Sequence, residues 1–154
     1  MSKTILSVTI ISFLLCACSS EKKKDEKLAV GISALMQAGS TPVMIPSEQG
    51  IVRLSVVNGK GKTNIRKKKN QTIRLEFESK DNKSISAKIF SKDSLANIRF
   101  SQIILPNGDR DGPFGTNLNY KIYSNGIYRL LINEDMVDGS SWGGVFEVEV
   151  SLLK

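Results

Sequence analysis

Beyond residue 50, apolar and polar side chains alternate with period two along most of the chain. Such alternation sends every second residue to one face of an extended strand and predicts half-buried β-strands. Val52, Leu54 and Val56 share one face. Ile73, Leu75 and Phe77 alternate with Thr72, Arg74, Glu76 and Glu78. Ile85, Ala87 and Ile89 follow the turn sequence SKDNKS. Ile98 and Phe100 keep the phase, and then Ile103, Ile104 and Leu105 run together. That change of phase predicts a bulge near Ser101-Gln102, or a strand buried on both faces. Leu118, Tyr120 and Ile122 form a further strand. Ser124-Asn125-Gly126 is a turn signal, with Tyr128, Leu130 and Ile132 as the return arm of a hairpin. Phe146, Val148, Val150 and Leu152 make a strong last strand, with Glu147 and Glu149 outward.

Upstream, LAVGISALMQ at residues 28–37 reads as a strand or a short helix, with strand favoured, and GSTPVMIPSEQG as a loop around a short strand between Pro42 and Pro46. No segment holds ten residues of clean helical period. The count is seven to nine short strands separated by Gly, Pro, Asn and Asp. That pattern predicts an all-β chain with one β-sandwich or jelly-roll-like domain over residues 28–154.

The first residues follow another rule. Lys3 precedes an apolar run from Ile5 to Leu15, about eleven residues, where a bilayer span needs roughly twenty. This suits the h-region of a secretory signal peptide. The order Leu15-Cys16-Ala17-Cys18 resembles the bacterial lipobox, with Cys16 where Ala, Ser or Thr is commoner. The resemblance implies that residues 1–17 are a signal peptide, that Cys18 takes a diacylglycerol and that further acylation follows. It places the protein in the bacterial envelope, anchored to the membrane and bound for the outer membrane, with its domain on the periplasmic face or the cell surface. A single acyl chain binds membranes only marginally, so two or three are needed. Cys16 leaves with the signal peptide, so the two cysteines are no disulfide. Residues 18–27, ending in EKKKDEK, form a charged tether.

The formal charge is +7, from 22 Lys and Arg against 15 Asp and Glu. It favours acidic partners: headgroups, lipopolysaccharide phosphates, acidic glycans or acidic proteins. Nucleic acid is not expected in an exported compartment. The run Arg66-Lys67-Lys68-Lys69 is expected to be a solvated hairpin tip whose charges discourage edge pairing.

With no histidine, Ser-His-Asp triads and imidazole metal sites are excluded. Glu76 with Glu78, and Glu147 with Glu149, are same-strand neighbours and do not face each other across a sugar as glycosidase carboxylates do. No catalytic residue is assigned, and a non-enzyme is expected. Asn107, Asp109 and Asp111 with Gly112 carry oxygen ligands at positions 1, 3 and 5 and glycine at 6, the front half of a calcium loop. The twelfth position is Leu118, so Ca²⁺ would need a carboxylate supplied by the fold, such as Glu134, Asp135 or Asp138. The bland alternative is a turn whose side chains bond their own backbone. Phe114 and Trp142, in the glycine-rich loops DGPFGT and SSWGGV, are candidates for contacting a ligand; the alternative is that such rings plug the sandwich.

The runs LPNGDRDGPFG, YKIYSNGIYRLLI and WGGVFEVEVSLL, with Gly126-Ile127-Tyr128 opening a strand, resemble the closing half of pre-peptidase C-terminal-type β-sandwiches. Periplasmic inhibitors of g-type lysozyme resemble the same pattern, as do small uncharacterised lipoproteins of the Bacteroidetes. The resemblance covers residues 70–154 and implies a fold, with no functional residue carried over. The expected function is a membrane-anchored, non-enzymatic binding module for an envelope protein or glycan. Two alternatives stand: a structural or stress-related envelope component without a discrete ligand, and an inhibitor of a lysozyme-like hydrolase. Basic charge does not help the last, since many lysozymes are basic too.

Overall fold

The computed structural model describes residues 42–137 and 139–154. The signal segment, Cys18, the tether and the opening segment at residues 28–37 lie outside the described residues.

Most alternating sequences become strands with apolar residues inward; residues 60–67, where the alternation predicts no strand, form one whose inward positions are Gly61, Thr63, Ile65 and Lys67. The elements are β1 (Val43–Met44), β2 (Ile51–Arg53), β3 (Lys60–Lys67), β4 (Ile73–Ser79), β5 (Ser84–Phe90), β6 (Ile98–Ile104), β7 (Arg110–Asp111), β8 (Asn117–Lys121), β9 (Gly126–Glu134) and β10 (Gly144–Leu153). They form two five-stranded sheets, β1-β3-β10-β5-β8 and β2-β4-β9-β6-β7. The fold is the expected β-sandwich. Its core is drawn from Val52 to Leu152, with Phe100, Tyr128 and Phe146 the largest fully buried side chains. The described residues thus share one hydrophobic core.

The bulge falls where the phase change put it. Phe100 pairs with Ile132 and Gln102 with Leu131, so Ser101 is the extra residue. Ile103 then points inward beside Leu130, while Ile104, beside Arg129 on the other face, is also buried.

Connectivity departs from the expectation. The two sheet orders run in step, so each strand lies opposite a chain neighbour: β1 over β2, β3 over β4, β10 over β9, β5 over β6, β8 over β7. Among the described strands, only β6 and β7 are joined within one sheet. Ser124-Asn125-Gly126 is thus no hairpin turn, since β8 pairs with β5 and β9 pairs with β4 and β6. Nor is the Lys67 to Lys69 run a hairpin tip, because β3 and β4 belong to different sheets. Period-two alternation fixes which face of a strand is buried but leaves its neighbour open.

Candidate functional site

Four crossovers meet at one end of the sandwich: residues 45–50, 68–72, 91–97 and 135–143. A buried ion pair ties two of them, 68–72 and 135–143. Lys67 and Glu134 are both almost wholly inaccessible; the Lys67 ammonium donates to Glu134 Oε1, and to the carbonyls of Lys68 and Trp142 at 3.0 Å each. Glu134 Oε1 also accepts the Asn70 N–H at 2.8 Å. Burial pushes the Glu134 carboxyl up, but the Lys67 hydrogen bond, those from its own and the Asn70 N–H, and the Lys67 charge outweigh it, leaving it below its ordinary value. Sequence reading missed this pair, taking Lys67 for a solvated charge. The signal was parity: Lys67 continues the inward series Thr63, Ile65, and Glu134 continues Tyr128, Leu130, Ile132.

Trp142 lies at the same end. It is buried, stacks edge-on against Phe146 at 6.4 Å and donates its indole N–H to Asp93 Oδ2 at 2.7 Å. That bond, with the Leu95 N–H, holds the Asp93 carboxyl below its usual range. Its placement in a glycine-rich loop suggested a ring open to ligand; Gly144 instead lets the chain fold back so closely that a Cβ there would lie 2.4 Å from the Trp142 ring. Trp142 plugs this end. Asn97 locks the last crossover, donating to the carbonyls of Asp135 at 3.3 Å and Ser140 at 3.0 Å.

Phe114 is half-buried on the flank, edge-on to Tyr120 at 6.1 Å. Asn107 and Asp109 lie at the end opposite Trp142, beyond Ile104, roughly 20 Å along β6 from Ile98. There Asn107 Nδ2 donates to Asp109 Oδ2 at 2.6 Å, Asp109 N–H to Asn107 Oδ1 at 3.1 Å, and Leu105 N–H to the Asp109 carbonyl at 2.9 Å. Asp111 accepts the Gly112 N–H at 2.7 Å and faces the Tyr120 hydroxyl. Glu134 and Asp135 sit at the Trp142 end in ion pairs with Lys67 and Arg99, so they do not complete the Asn107–Gly112 loop; Asp138 lies outside the described residues. Among the described residues no three acidic or thiol side chains share a metal-sized space. The fold therefore does not gather Asp109, Asp111, Phe114 and Trp142 into one patch.

The paired carboxylates are engaged on the outer faces. Glu76 meets Arg53 at 3.7 Å and Arg129 at 3.2 Å, while Glu147 and Glu149 share Lys62 at 2.7 and 2.9 Å.

What the fold does build, at the end opposite Trp142, is a cleft of about 570 Å³ between the tips of the two sheets. Leu54, Val56 and Leu152 floor it, and Glu78, Lys80 and Asn82 rim it. Lys80 bonds Glu78 at 3.1 Å, and Asn82 is held by the Ser79 hydroxyl at 3.1 Å and the Lys80 carbonyl at 2.8 Å. Its exposed lining is more polar than apolar and the Glu78–Lys80 pair lies open to solvent, so the cleft offers charge and hydrogen bonds more than apolar burial. The alternation marked the floor residues as core, but no sequence signal marked the cleft.

No family model matches the chain, and no curated protein matches it. Among solved structures it is similar to PliG of Aeromonas hydrophila, a periplasmic lysozyme inhibitor of g-type lysozyme, with 15% identity and a TM-score of 0.50 over 71% of this chain and 98% of that one. At that identity the likeness is one of fold.

Proposed function

We propose that this chain is a lipid-anchored protein of the bacterial envelope whose sandwich is a non-enzymatic binding module for a protein or glycan partner. The cleft carries the reading: Glu78, Lys80 and Asn82 offer a partner directional bonds around a small floor of Leu54, Val56 and Leu152. The lipobox order ending in Cys18 supports the envelope location, and the fold shared with PliG supports a binding role. The test is to immobilise residues 28–154 and pass detergent-solubilised envelope, and in parallel a glycan array, over them. A defined partner that resists salt and is lost with Ser55→Trp, which fills the cleft from its exposed wall, is the expected result. Retention of only salt-released acidic material overturns it.

The likeness to PliG favours a second reading, inhibition of a lysozyme-like hydrolase. An equimolar mixture with a g-type lysozyme that clears cell walls at the uninhibited rate removes it.

A further inference from the structure

The end that holds Lys67 and Trp142 has a second character, independent of the cleft at the other end. Val137, Ile45, Leu95 and Met136 are 86%, 80%, 79% and 69% exposed. They are four of the five most exposed large apolar residues among those described, and the fifth, Tyr123, is at the opposite end. Each lies on a crossover that the sheet orders place in a row: Ile45, then Lys68-Lys69, then Met136-Val137, then Leu95. With strands about 4.8 Å apart, that row spans roughly 15 Å.

Basic side chains stand between and beside these tips. Arg66, Lys68, Lys69, Arg74 and Lys92 are all exposed and in no ion pair, facing only Glu48 and Asp93 as carboxylates outside ion pairs among the described residues. Glu134 and Asp135 are neutralised by Lys67 and Arg99. Beneath, the ion pair, the Trp142–Asp93 bond and Asn97 join three of the four crossovers, 68–72, 91–97 and 135–143.

We infer that this end of the domain docks on an anionic phospholipid surface, with Ile45, Leu95, Met136 and Val137 entering the headgroup boundary and the Arg and Lys side chains meeting the phosphates. The composition favours lipid over protein. Protein interfaces centre on Tyr, Trp and Arg and are depleted in Lys, whereas aliphatic tips spaced by lysines combine the two terms that bind a membrane surface, buried apolar area and attraction to anionic lipid.

The experiment is vesicle flotation of residues 28–154, which keep the whole core and have no acyl chain. Vesicles are phosphatidylcholine alone, or with about 30% phosphatidylglycerol, at about 0.1 M and about 0.5 M salt. Expected are at least about fivefold more bound protein with phosphatidylglycerol, a loss of that gain at high salt, and a drop of about fivefold or more in Leu95→Ser/Val137→Ser. Lys68→Glu/Lys69→Glu is expected to erase the phosphatidylglycerol dependence, while Tyr123→Ser leaves binding unchanged. All substituted side chains are exposed, and Trp142 emission reports that the fold is kept. No phosphatidylglycerol-dependent flotation overturns the inference, as does binding that tolerates both loop variants. So does an acidic protein held through Leu95 and Val137 in the absence of vesicle binding. None of these results touches the cleft, whose test is the Ser55→Trp comparison.

Discussion

Replacing Lys67 by Met keeps an apolar side chain out to the ε position and deletes the ammonium. Three acceptors lose their donor at once: Glu134 Oε1 and the carbonyls of Lys68 and Trp142. Glu134 stays buried with a charge that only N–H groups oppose. Breaking a buried pair from one side costs about 3–5 kcal/mol, because the remaining charge is uncompensated. The described domain has roughly 110 residues, and an unfolding entropy near 2.1 cal/mol/K per residue gives about 0.23 kcal/mol/K. The expected fall in Tm is therefore about 13–22 °C, and the loss is a large share of the roughly 5–15 kcal/mol that holds a typical domain folded. The assay is thermal and urea unfolding of residues 28–154, followed by circular dichroism and by the emission of Trp142, the chain's one tryptophan. Lys67→Met/Glu134→Leu removes both charges. It is expected to recover about half of the loss, the rest reflecting the carbonyls and the Asn70 N–H left without partners. The double-mutant cycle should give a coupling of at least about 2 kcal/mol. A fall below about 3 °C for Lys67→Met, or additivity of the two substitutions, refutes the role assigned to the pair.

Trp142→Ala is expected to cost about 3–5 kcal/mol by leaving a cavity beside Phe146, whereas Trp142→Phe, which loses the bond to Asp93 and only part of the ring, costs less; unfolding followed by circular dichroism checks both. Glu134 and Asp93 both sit below their ordinary values of 4.5 and 3.8, so the unfolded chain binds more protons in that range. The stability they add is complete above about pH 5 and is lost as pH falls through their depressed folded values. Tm measured from pH 7 to pH 3 should be flat and then fall, and the gap between wild type and Lys67→Met should narrow in acid. Calcium added to residues 28–154 is expected to leave Tm unchanged and release no heat, because Asn107 and Asp109 already bond each other and Asp111 accepts from Gly112 and faces Tyr120; a rise in Tm at millimolar calcium would restore the calcium loop.

The sequence by itself determined most of the strands and their faces; β3 escaped it, because its inward series Gly61, Thr63, Ile65 and Lys67 is no apolar alternation. Ile73, Leu75 and Phe77, or Phe146, Val148 and Val150, can be read inward because a strand's period is two, and the same rule exposed the Ser101 bulge as a slip of phase. It also held the positions of Lys67 and Glu134, both on inward parity, although a run of four basic residues reads first as solvent-facing. Tertiary structure alone decided which strands are neighbours, since backbone hydrogen bonds do not name their partners. For that reason Ser124-Asn125-Gly126 spans two sheets instead of closing a hairpin, and Asn107, Phe114 and Trp142 lie apart. The same decision made the surface. Crossovers from distant parts of the chain meet at one end, above the buried Lys67–Glu134 pair, and the sheet orders set Ile45, Met136, Val137 and Leu95 in a row that no local pattern contains.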